Sequence, residues 1–584
     1  MGATQPAGVH YRVDASDVHA HLYRVQLRIE RPKAEQALSL PAWIPGSYLV
    51  REFSKHLQHL QARQGGRKRA VRQQGKSDWV VICDPDRPLE LSYEVYALDN
   101  SVRTAWLDSA RAFFNGTSLC LRAHGHEDGP HDIDIAPVPA AWRWEVHTGL
   151  TPLKTRSGGF GTYRACDYDE LVDSPFEIGA HWSADFEACG VAHRFVVSGA
   201  AESFDGERLI AHTQRICEQA IRLWHGRKKP PIQRYVFMLN VVHDGYGGLE
   251  HRNSTALIAS RKDLPRLGDE RQSDGYTTLL GLISHEYFHT WNVKRLRPAE
   301  FARYDYAQEN YTRLLWFFEG FTSYYDDLLL RRAGLIDDNA YLRLLNKTIN
   351  QVEQTPGRLV QSVAQASFDA WIKYYRQDEN TPNATVSYYT KGALVGLCLD
   401  LALRAEGKTS LDAVMRDLWR RCAGGPMREQ DLLDALLALG GRSWEREIAQ
   451  WVHGTAELPL DELLLRHGVA AIDEPAQWQQ RLGLRCSETE HRIIIKTVLR
   501  SGAAEQAGMS AGDEWIGIEV QGRGWRLSRV DDLALYLARH KRITALVSRD
   551  QRLLRLTLTV PAQVTTRRLV LRDAARANAW LSGG

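Results

Sequence analysis

Two histidines spaced four residues apart are the clearest candidates for chemistry in the chain. The segment from Leu279 to Leu296 reads LLGLISHEYFHTWNVKRL and contains His285, Glu286 and His289 in the pattern H-E-x-x-H. On a helix, residues four apart lie on the same face, so the two imidazoles can share one metal ion. The alternative is an ordinary amphipathic helix, since the chain has 21 histidines and two of them can fall one turn apart by chance.

A catalytic zinc site of this type needs a third protein ligand and an open position for water. Glu319, in the segment LLWFFEGFTSYY, is the best candidate. An ionised carboxylate in so apolar a helix is costly unless it is paired or binds a metal. An ion pair with an arginine such as Arg313 is the alternative. Glu286 lies on a different face of its helix from the histidines, so we expect it to act as general base for the water that the metal activates.

The composition limits the class of protein. The chain has 584 residues, too many for one hydrophobic core, and a net charge of +3 from 74 basic and 71 acidic residues. This near balance gives no electrostatic case for nucleic acid or an anionic membrane as partner. No apolar stretch reaches the ~18 residues of a membrane span, and we see no signal peptide. The eight cysteines form no C-x-x-C pair, so we expect buried thiols and a cytoplasmic location.

The texture of the sequence predicts a multidomain α+β protein with three regions. Residues 1 to 173 alternate apolar and polar positions between turn residues, which predicts an all-β, sandwich-like domain. Residues 174 to 465 combine a strand pair with long helical patterns, among them NYTRLLWFFEGFTSYYDDLLLRRAG, and predict a mainly helical domain that contains the histidine pair. From residue 466 to residue 584 the strand pattern returns. The basic run from Gly65 to Lys76 is expected to be a solvated hairpin loop.

Three segments together resemble the PDZ-domain-containing glycyl aminopeptidase family. They are HEYFHTWNVKRLRP, LLWFFEGFTSYY and a C-terminal PDZ-like stretch; LPAWIPGSYLVREFSKHL, from Leu40 to Leu57, is similar to a signature of that family's N-terminal β-domain. The resemblance implies a zinc peptidase with a thermolysin-like catalytic domain, distantly related to aminopeptidase N. Residues 290 to 318 separate His289 from Glu319, a longer spacing than in aminopeptidase N, and the glycyl family shares it.

The resemblance gives a role to the segment YGGLEH, from Tyr246 to His251. It stands where aminopeptidase N has its glycine-rich exopeptidase motif, whose glutamate holds the free α-amine of the substrate. Glu250 matches that glutamate, and Gly247 and Gly248 would let the substrate backbone approach an edge strand. A simple hairpin turn with an exposed glutamate is the alternative.

A tyrosine in the segment SYYTKGALVG is similar to the aminopeptidase tyrosine that donates a hydrogen bond to the tetrahedral oxyanion. By its Tyr-x-Lys-Gly pattern this residue is Tyr389. Such a donor is useful because charge develops on that oxygen only in the transition state. Its neighbour Tyr388 is the rival, and packing of both rings without a catalytic role also stays open.

The C-terminal region resembles a PDZ domain. RLGLRC, from Arg481 to Cys486, is similar to the carboxylate-binding loop and its strand, and SGAAEQAGMSAGDEWIGIEVQG to the helix and turn that follow. The resemblance implies that this region either binds the C-terminus of a peptide or packs against the rest of the protein without a ligand.

Taken together, the resemblance implies an aminopeptidase with one Zn²⁺ per chain that acts on peptides with a free N-terminus, with a preference for N-terminal glycine or alanine. A zinc endopeptidase and a non-catalytic peptide-binding scaffold are the other functions that we weigh.

Overall fold

The computed structural model of the chain describes residues 8–490, 492–562 and 564–583. Contacts between residues divide the chain into two units. The first unit contains Met1–Tyr311 and Leu418–Arg428, and the second contains Thr312–Asp417 and Glu429–Gly584. In the described part of the chain, no helix combines the length and the apolar character needed to cross a bilayer. The domain boundaries after residues 173 and 465 stay predictions.

The N-terminal part of the first unit is built on an eight-stranded sheet. Its strands alternate buried and exposed side chains: Val9, Tyr11 and Val13 point into the core from one strand, and Tyr23 and Val25 do so from the next. This period of two is what a sheet with one face on a core requires. In spatial order the strands are Thr151–Thr155, Gly161–Ala165, His131–Ile135, Val9–Asp17, Leu22–Ile29, Leu89–Tyr96, Leu57–Gln64 and Arg67–Arg69.

Two four-stranded sheets complete this region. One hydrophobic cluster joins the inward side chains of all three sheets, including Tyr93, Phe113 and Val81. The N-terminal region is therefore β-rich, as the alternation predicted, while the sandwich arrangement stays a prediction. One small sheet has the order Glu145–Thr148, Phe176–Gly179, Arg111–Phe114 and Ala105–Leu107; the other has the order Arg122–Ala123, Glu35–Ser39, Asp78–Ile82 and Val71–Gly75.

A five-stranded sheet follows, and its edge is where the glycine-rich segment lies. Its order is Trp182–Ala188, Val191–Ser198, Arg234–Val242, Ser254–Ser260 and Tyr246–Glu250. The three central strands run parallel, and the middle one, Arg234–Val242, has a nearly continuous apolar sequence that is buried on both faces. The segment Tyr246–Glu250 is an antiparallel edge strand with Gly247 opposite Ile258 and Glu250 opposite Thr255. The simple hairpin turn considered from the sequence is therefore not what forms here.

Two long helices pack in the same unit. The first, Gly206–His225, begins where the Asp205 side chain accepts a hydrogen bond from the N–H of Arg208. The second, Asp274–Phe288, begins in the same way at Ser273, which accepts from Tyr276. Such caps satisfy N–H groups that have no partner inside the helix. The second helix ends at Phe288 with His289 as its C-cap residue, so the H-E-x-x-H pattern lies at its C-terminal end.

The second unit is mainly helical before it reaches the C-terminal strands. The helices Leu315–Arg332 and Thr390–Ala405 are the pair that matters for function. They meet at Gly320 and Gly392, where a Cβ on Gly320 would lie 2.6 Å from the backbone of Gly392. The absence of side chains at this crossing lets the two helices approach closely. Further helices of the chain are Asp338–Glu353, Val363–Phe368, Thr381–Ala384, Leu411–Arg421, Glu429–Gly440, Glu445–Ile448 and Leu460–Arg466.

The C-terminal strands enclose a hydrophobic core of their own, which includes Leu484, Trp515 and Ala545. Their sheet has the order Leu484–Glu488, Ile493–Val498, Glu514–Val520, Arg542–Arg549 and Arg552–Thr559, and Arg523–Arg526 pairs with Glu514–Val520. A separate pair joins Val469–Pro475 to Thr565–Leu571. The short helices here are Trp478–Leu482, Ala503–Gln506, Leu533–Tyr536 and Ala574–Leu581. That this region is a PDZ-like domain stays a prediction.

Candidate metal and substrate centre

The two histidines of the H-E-x-x-H pattern face each other. The Nε2 atoms of His285 and His289 lie 3.1 Å apart. Zinc–nitrogen bonds are about 2.0–2.1 Å long, so one ion can contact both nitrogens at this separation. His289 is buried, whereas His285 is partly exposed. The helix spacing thus brings the pair together as the sequence predicted.

The imidazole of His289 is oriented by the chain that follows it. Its Nδ1 lies 2.7 Å from the carbonyl oxygen of Asn292. An N–H at Nδ1 donates to this carbonyl, which leaves the lone pair of the ring at Nε2. Histidine ligands of metals commonly have their second nitrogen fixed in this way. The local geometry of His289 therefore fits a metal ligand.

Glu286 lies against the glycine-rich edge strand. A Cβ built on Gly248 would be only 2.1 Å from a carboxylate oxygen of Glu286, so any larger residue at position 248 would displace this side chain. Glu286 is buried, with 5% of its surface exposed. The carbonyl of Gly248 accepts a hydrogen bond of 3.1 Å from the guanidinium of Arg103, which holds the strand in place from the N-terminal region.

Glu250 is buried at the end of the same strand, beneath a loop of the N-terminal region. Gly46, in the segment LPAWIPGSYLV, lies so close that a Cβ there would be 2.6 Å from both carboxylate oxygens of Glu250. Gly46 also has a φ of +90°, a conformation that glycine adopts without strain. Within the described residues, Glu250 Oε1 has no hydrogen-bond partner. A buried carboxylate oxygen in this state is suited to a cation supplied by a ligand.

A buried ion pair supports the region around Glu250. The ammonium of Lys294 lies 2.6 Å from Asp173, which also contacts Nδ1 of His251 at 3.2 Å. Burial opposes ionisation of Asp173, yet the charge of Lys294 and the contact with His251 hold the pKa of its carboxyl well below the usual range. Burial also opposes the charge on Lys294, but Asp173 and, more weakly, Glu250 raise its pKa. Lys294 therefore stays cationic and lies in the field of Glu250.

Two carboxylates and one histidine converge at this point. Ligand atoms of Glu250, Glu286 and His289 all lie within 4.8 Å of one another. Two buried carboxylates this close repel each other unless a cation or a shared proton lies between them. The first unit therefore forms a centre of concentrated negative charge beside the histidine pair, and this centre fits a metal ion or the ammonium group of a substrate.

The second unit contains the other two predicted site residues. Glu319 is buried in the helix Leu315–Arg332, with 2% of its surface exposed. Tyr389 caps the start of Thr390–Ala405, one residue after Tyr388. Burial, and next the negative charge of Glu319, raise the pKa of the Tyr389 phenol well above its ordinary value, so it stays protonated as a hydrogen-bond donor. Coordination of a metal by Glu319 stays a prediction.

The two neighbouring tyrosines differ in access. Tyr388 is completely buried, whereas Tyr389 is partly exposed. The rings stack on one another with centroids 4.7 Å apart, and the Tyr374 ring lies 5.5 Å from that of Tyr389. The hydroxyl of Tyr389 lies 3.4 Å from that of Tyr375. Tyr374 and Tyr389 are both partly exposed, and the charge of Glu319 acts on both phenols.

Sequence reasoning missed several residues that shape this centre. Gly46 was part of a recognised segment, but nothing local indicated that its backbone would lie against Glu250. Lys294 follows the second histidine by five positions, yet its partner Asp173 is far away in the chain. Arg103 likewise acts from the N-terminal region. Each of these contacts depends on long-range folding, which a single sequence without homologues does not reveal.

Residues 278–395 match the M61 glycyl aminopeptidase family, and residues 10–180 match the M61 peptidase N-terminal domain. A comparison with curated protein sequences found no match.

Among solved structures, the chain is similar to an aminopeptidase N family protein from Idiomarina loihiensis. The two share 37% identity over 98% of this chain and 100% of the other, with a TM-score of 0.92. An M1 zinc metallopeptidase from Deinococcus radiodurans also matches, at 16% identity over 77% of this chain and 94% of the other, with a TM-score of 0.48. The family matches and the near full-length relative agree with the arrangement of the histidine pair and the glycine-rich strand. The chain belongs to the M61 glycyl aminopeptidase family and is a metallo-aminopeptidase.

Proposed function

We propose that the enzyme uses one zinc ion per chain, held by His285, His289 and Glu319, to hydrolyse the first bond of peptides with a free N-terminus. The observation that carries the proposal is the histidine pair, whose Nε2 atoms lie 3.1 Å apart. The Nδ1 of His289 donates a hydrogen bond to the carbonyl of Asn292, which leaves its Nε2 available for a metal. The burial of Glu319 in an apolar helix supports its role, since a metal would compensate its charge. This ligand set, with one position left open, is typical of catalytic zinc.

Glu286 is the general base of the proposed reaction. When bound, zinc supplies polarisation of the scissile carbonyl and a lowered pKa for water. Glu286 takes a proton from the attacking water and then delivers it to the departing amine. Its closeness to both His289 and Gly248 supports this role, because the edge strand fixes the carboxylate beside the reacting bond.

Tyr389 donates a hydrogen bond to the oxygen of the scissile carbonyl as negative charge develops there. Its raised pKa keeps the proton on the phenol at neutral pH. The partial exposure of Tyr389, beside a completely buried Tyr388, favours Tyr389 over its rival.

Glu250 binds the substrate's ammonium group, and Gly247 and Gly248 let the substrate's first residue lie along the edge strand. The Oε1 atom of Glu250, without a hydrogen-bond partner in the described part of the chain, supports this role. An endopeptidase has no need for such a buried anion, because its substrates present no ammonium there. From the family we also infer a preference for N-terminal glycine or alanine. Gly46 limits the space around Glu250, which is consistent with small first residues.

We also propose that residues 466 to 584 form a PDZ-like domain. In such a domain a C-terminal peptide would add to the edge strand Leu484–Glu488. One contact disfavours a peptide ligand at this edge: the N–H of Cys486 already donates to the side chain of Gln479 at 2.9 Å. A peptide would have to displace Gln479, so a packing role for this domain is the better supported of the two alternatives.

Replacing Glu319 tests the ligand set. Glu319→Ala removes one of three protein ligands, so after dialysis the variant should contain almost no zinc, whereas the parent contains about one ion per chain by elemental analysis. Glu462→Ala changes an exposed glutamate of the same unit and serves as the control. A Glu319→Ala protein that retains full zinc and full activity would show that the third ligand is another residue.

Replacing Glu286 separates metal binding from chemistry. Glu286→Gln keeps the shape of the side chain but removes the base, so zinc content should stay at about one per chain while kcat falls by roughly 10²–10⁴. Binding of an alanyl peptide, measured by calorimetry, should change little. Loss of zinc in this variant, or a kcat within a few-fold of the parent, would contradict the role of general base.

Replacing Glu250 tests the exopeptidase character. Loss of one partner from a desolvated charge pair costs about 2–5 kcal/mol, so Glu250→Ala should lower kcat/KM for free alanyl peptides by roughly tenfold to several thousandfold. The N-acetylated forms of the same peptides, already poor substrates, should be hardly affected. The measurement is the ratio of free to acetylated rates in both proteins. An equally large ratio in the variant would mean that another residue binds the amine.

A further inference from the structure

The loop after His289 folds back on the end of the helix that it follows. The N–H of Lys294 donates a hydrogen bond of 3.1 Å to the carbonyl of His289, and the N–H of Leu296 donates one of 2.9 Å to that of Trp291. In this loop Val293 has a φ of +127°, in a region that a β-branched residue rarely adopts. Backbone strain of this kind persists only where the surrounding contacts determine the conformation. The shape of the loop is therefore imposed by its contacts and not by the local preference of its sequence.

Arg295 provides such a contact, because it joins the loop to the end of the glycine-rich strand. Its Nη1 atom donates to the carbonyl of Thr290 at 2.8 Å and to the carbonyl of Arg252 at 2.9 Å. Thr290 follows His289 directly, and Arg252 stands two residues after Glu250, where the edge strand ends. One guanidinium therefore joins the backbone beside the proposed metal ligand to the backbone beside the proposed amine anchor.

The guanidinium of Arg295 forms this bridge without an ion pair. Its Nη2 atom donates to the side-chain oxygen of Asn253 at 3.0 Å, and no carboxylate of the described residues pairs with it. Burial, and next the charge of Arg252, lower the pKa of Arg295 to about 10, so it stays charged at neutral pH. Hydrogen bonds from a charged donor are stronger than those between neutral groups. Because the donors of a guanidinium form a rigid fork, they can hold two chain segments at a set separation.

Asp173 links the same two segments a second time. Its carboxylate lies 2.6 Å from the ammonium of Lys294, in the loop, and accepts a hydrogen bond of 3.0 Å from the N–H of Arg252. This link does not involve Arg295. The two segments should therefore stay together when Arg295 is replaced, while the fork that sets their exact separation is lost. This makes Arg295 a residue whose replacement can change geometry without unfolding the region.

We propose that Arg295 is a positioning residue that fixes the amine anchor Glu250 relative to the metal ligand His289, and thereby decides which bond of the substrate is cleaved. This inference rests on the proposed function, because it takes those two residues in those two roles. Arg295 acts through the carbonyls of Thr290 and Arg252 and not on the substrate itself. One residue of an extended peptide spans only about 3.3–3.6 Å, so a loosely held anchor would let the second peptide bond reach the metal in place of the first.

The test identifies the products from the peptide Ala-Gly-Ala-Ala by mass spectrometry. Removal of single residues from its N-terminus never produces the dipeptide Ala-Gly, whereas cleavage of the second bond does. The parent should release alanine and no Ala-Gly. Arg295→Met should release Ala-Gly as well, and its kcat/KM for the first bond should fall by roughly tenfold to a hundredfold, since a misplacement of about 1 Å can cost 10² in rate. Its zinc content by elemental analysis should stay at about one per chain, because the proposed ligands are unchanged.

Three further variants show which property of Arg295 matters. Arg295→Lys keeps a positive charge but loses the fork, so it should release Ala-Gly as the methionine variant does. Asn253→Ala removes one of the three hydrogen bonds and should show the same change to a smaller extent. Arg261→Met is the matched control: this exposed arginine donates to the carbonyls of Gly199 and Val241 at 2.7 and 3.0 Å, at the other end of the same sheet, and its loss should leave the products unchanged.

Three results would overturn the proposal. One is an Arg295→Met protein that releases only alanine at the parent's rate. Another is loss of zinc from this variant, which would mean that Arg295 supports the metal site itself. The third is an Arg295→Lys protein that behaves like the parent, since charge alone would then be sufficient. If Arg295→Met does not fold, as judged by thermal unfolding, Asn253→Ala gives the same test. A parent without zinc, or one that cleaves N-acetylated peptides as fast as free ones, would instead contradict the proposed function.

Discussion

The candidate metal and substrate centre depends on buried carboxylates that the fold brings together. Glu250 and Glu286 are both almost inaccessible, and their oxygens lie within 4.8 Å of one another and of a nitrogen of His289. Removing two carboxylates from water and placing them together is unfavourable without cations. Lys294 supplies one fixed positive charge nearby, but Asp173 already neutralises it at 2.6 Å. A metal ion and a substrate ammonium would compensate the remaining negative charge, so bringing these acids together favours binding of both cations.

The second constraint is steric and is met by glycine. Gly248 lies against Glu286 and Gly46 lies against Glu250, and at both positions a Cβ would overlap the carboxylate. Gly320 and Gly392 meet a similar requirement in the second unit, where they let the helix of Glu319 pack closely on the helix that follows Tyr389. The close approach of the backbone therefore helps to position Glu250 and Glu286. Because glycine has no side chain, these positions leave room for a substrate while keeping each carboxylate in one place.

The parts of this account that the sequence could predict are the local ones. The spacing of His285 and His289 on a helix and the β-rich texture of the N-terminal region depend on short-range periodicity, and both are present in the structure. The edge strand that ends at Glu250 could also be read as a turn, because glycine weakens any strand pattern. The contact of Gly46 with Glu250 and the pairing of Lys294 with Asp173 could not be predicted, since each joins distant segments.

The most direct test of the account is the position of the metal in crystals, located by anomalous diffraction at the zinc absorption edge. The buried acids allow two sites in principle, one on the histidine pair and one among Glu250, Glu286 and His289. The account predicts a single peak at about 2.0–2.1 Å from Nε2 of both His285 and His289, with a carboxylate oxygen of Glu319 as the third protein ligand. A peak coordinated by Glu250 and Glu286, or one that leaves His285 outside bonding distance, would contradict it, because those carboxylates would then be metal ligands and not the amine anchor and the base.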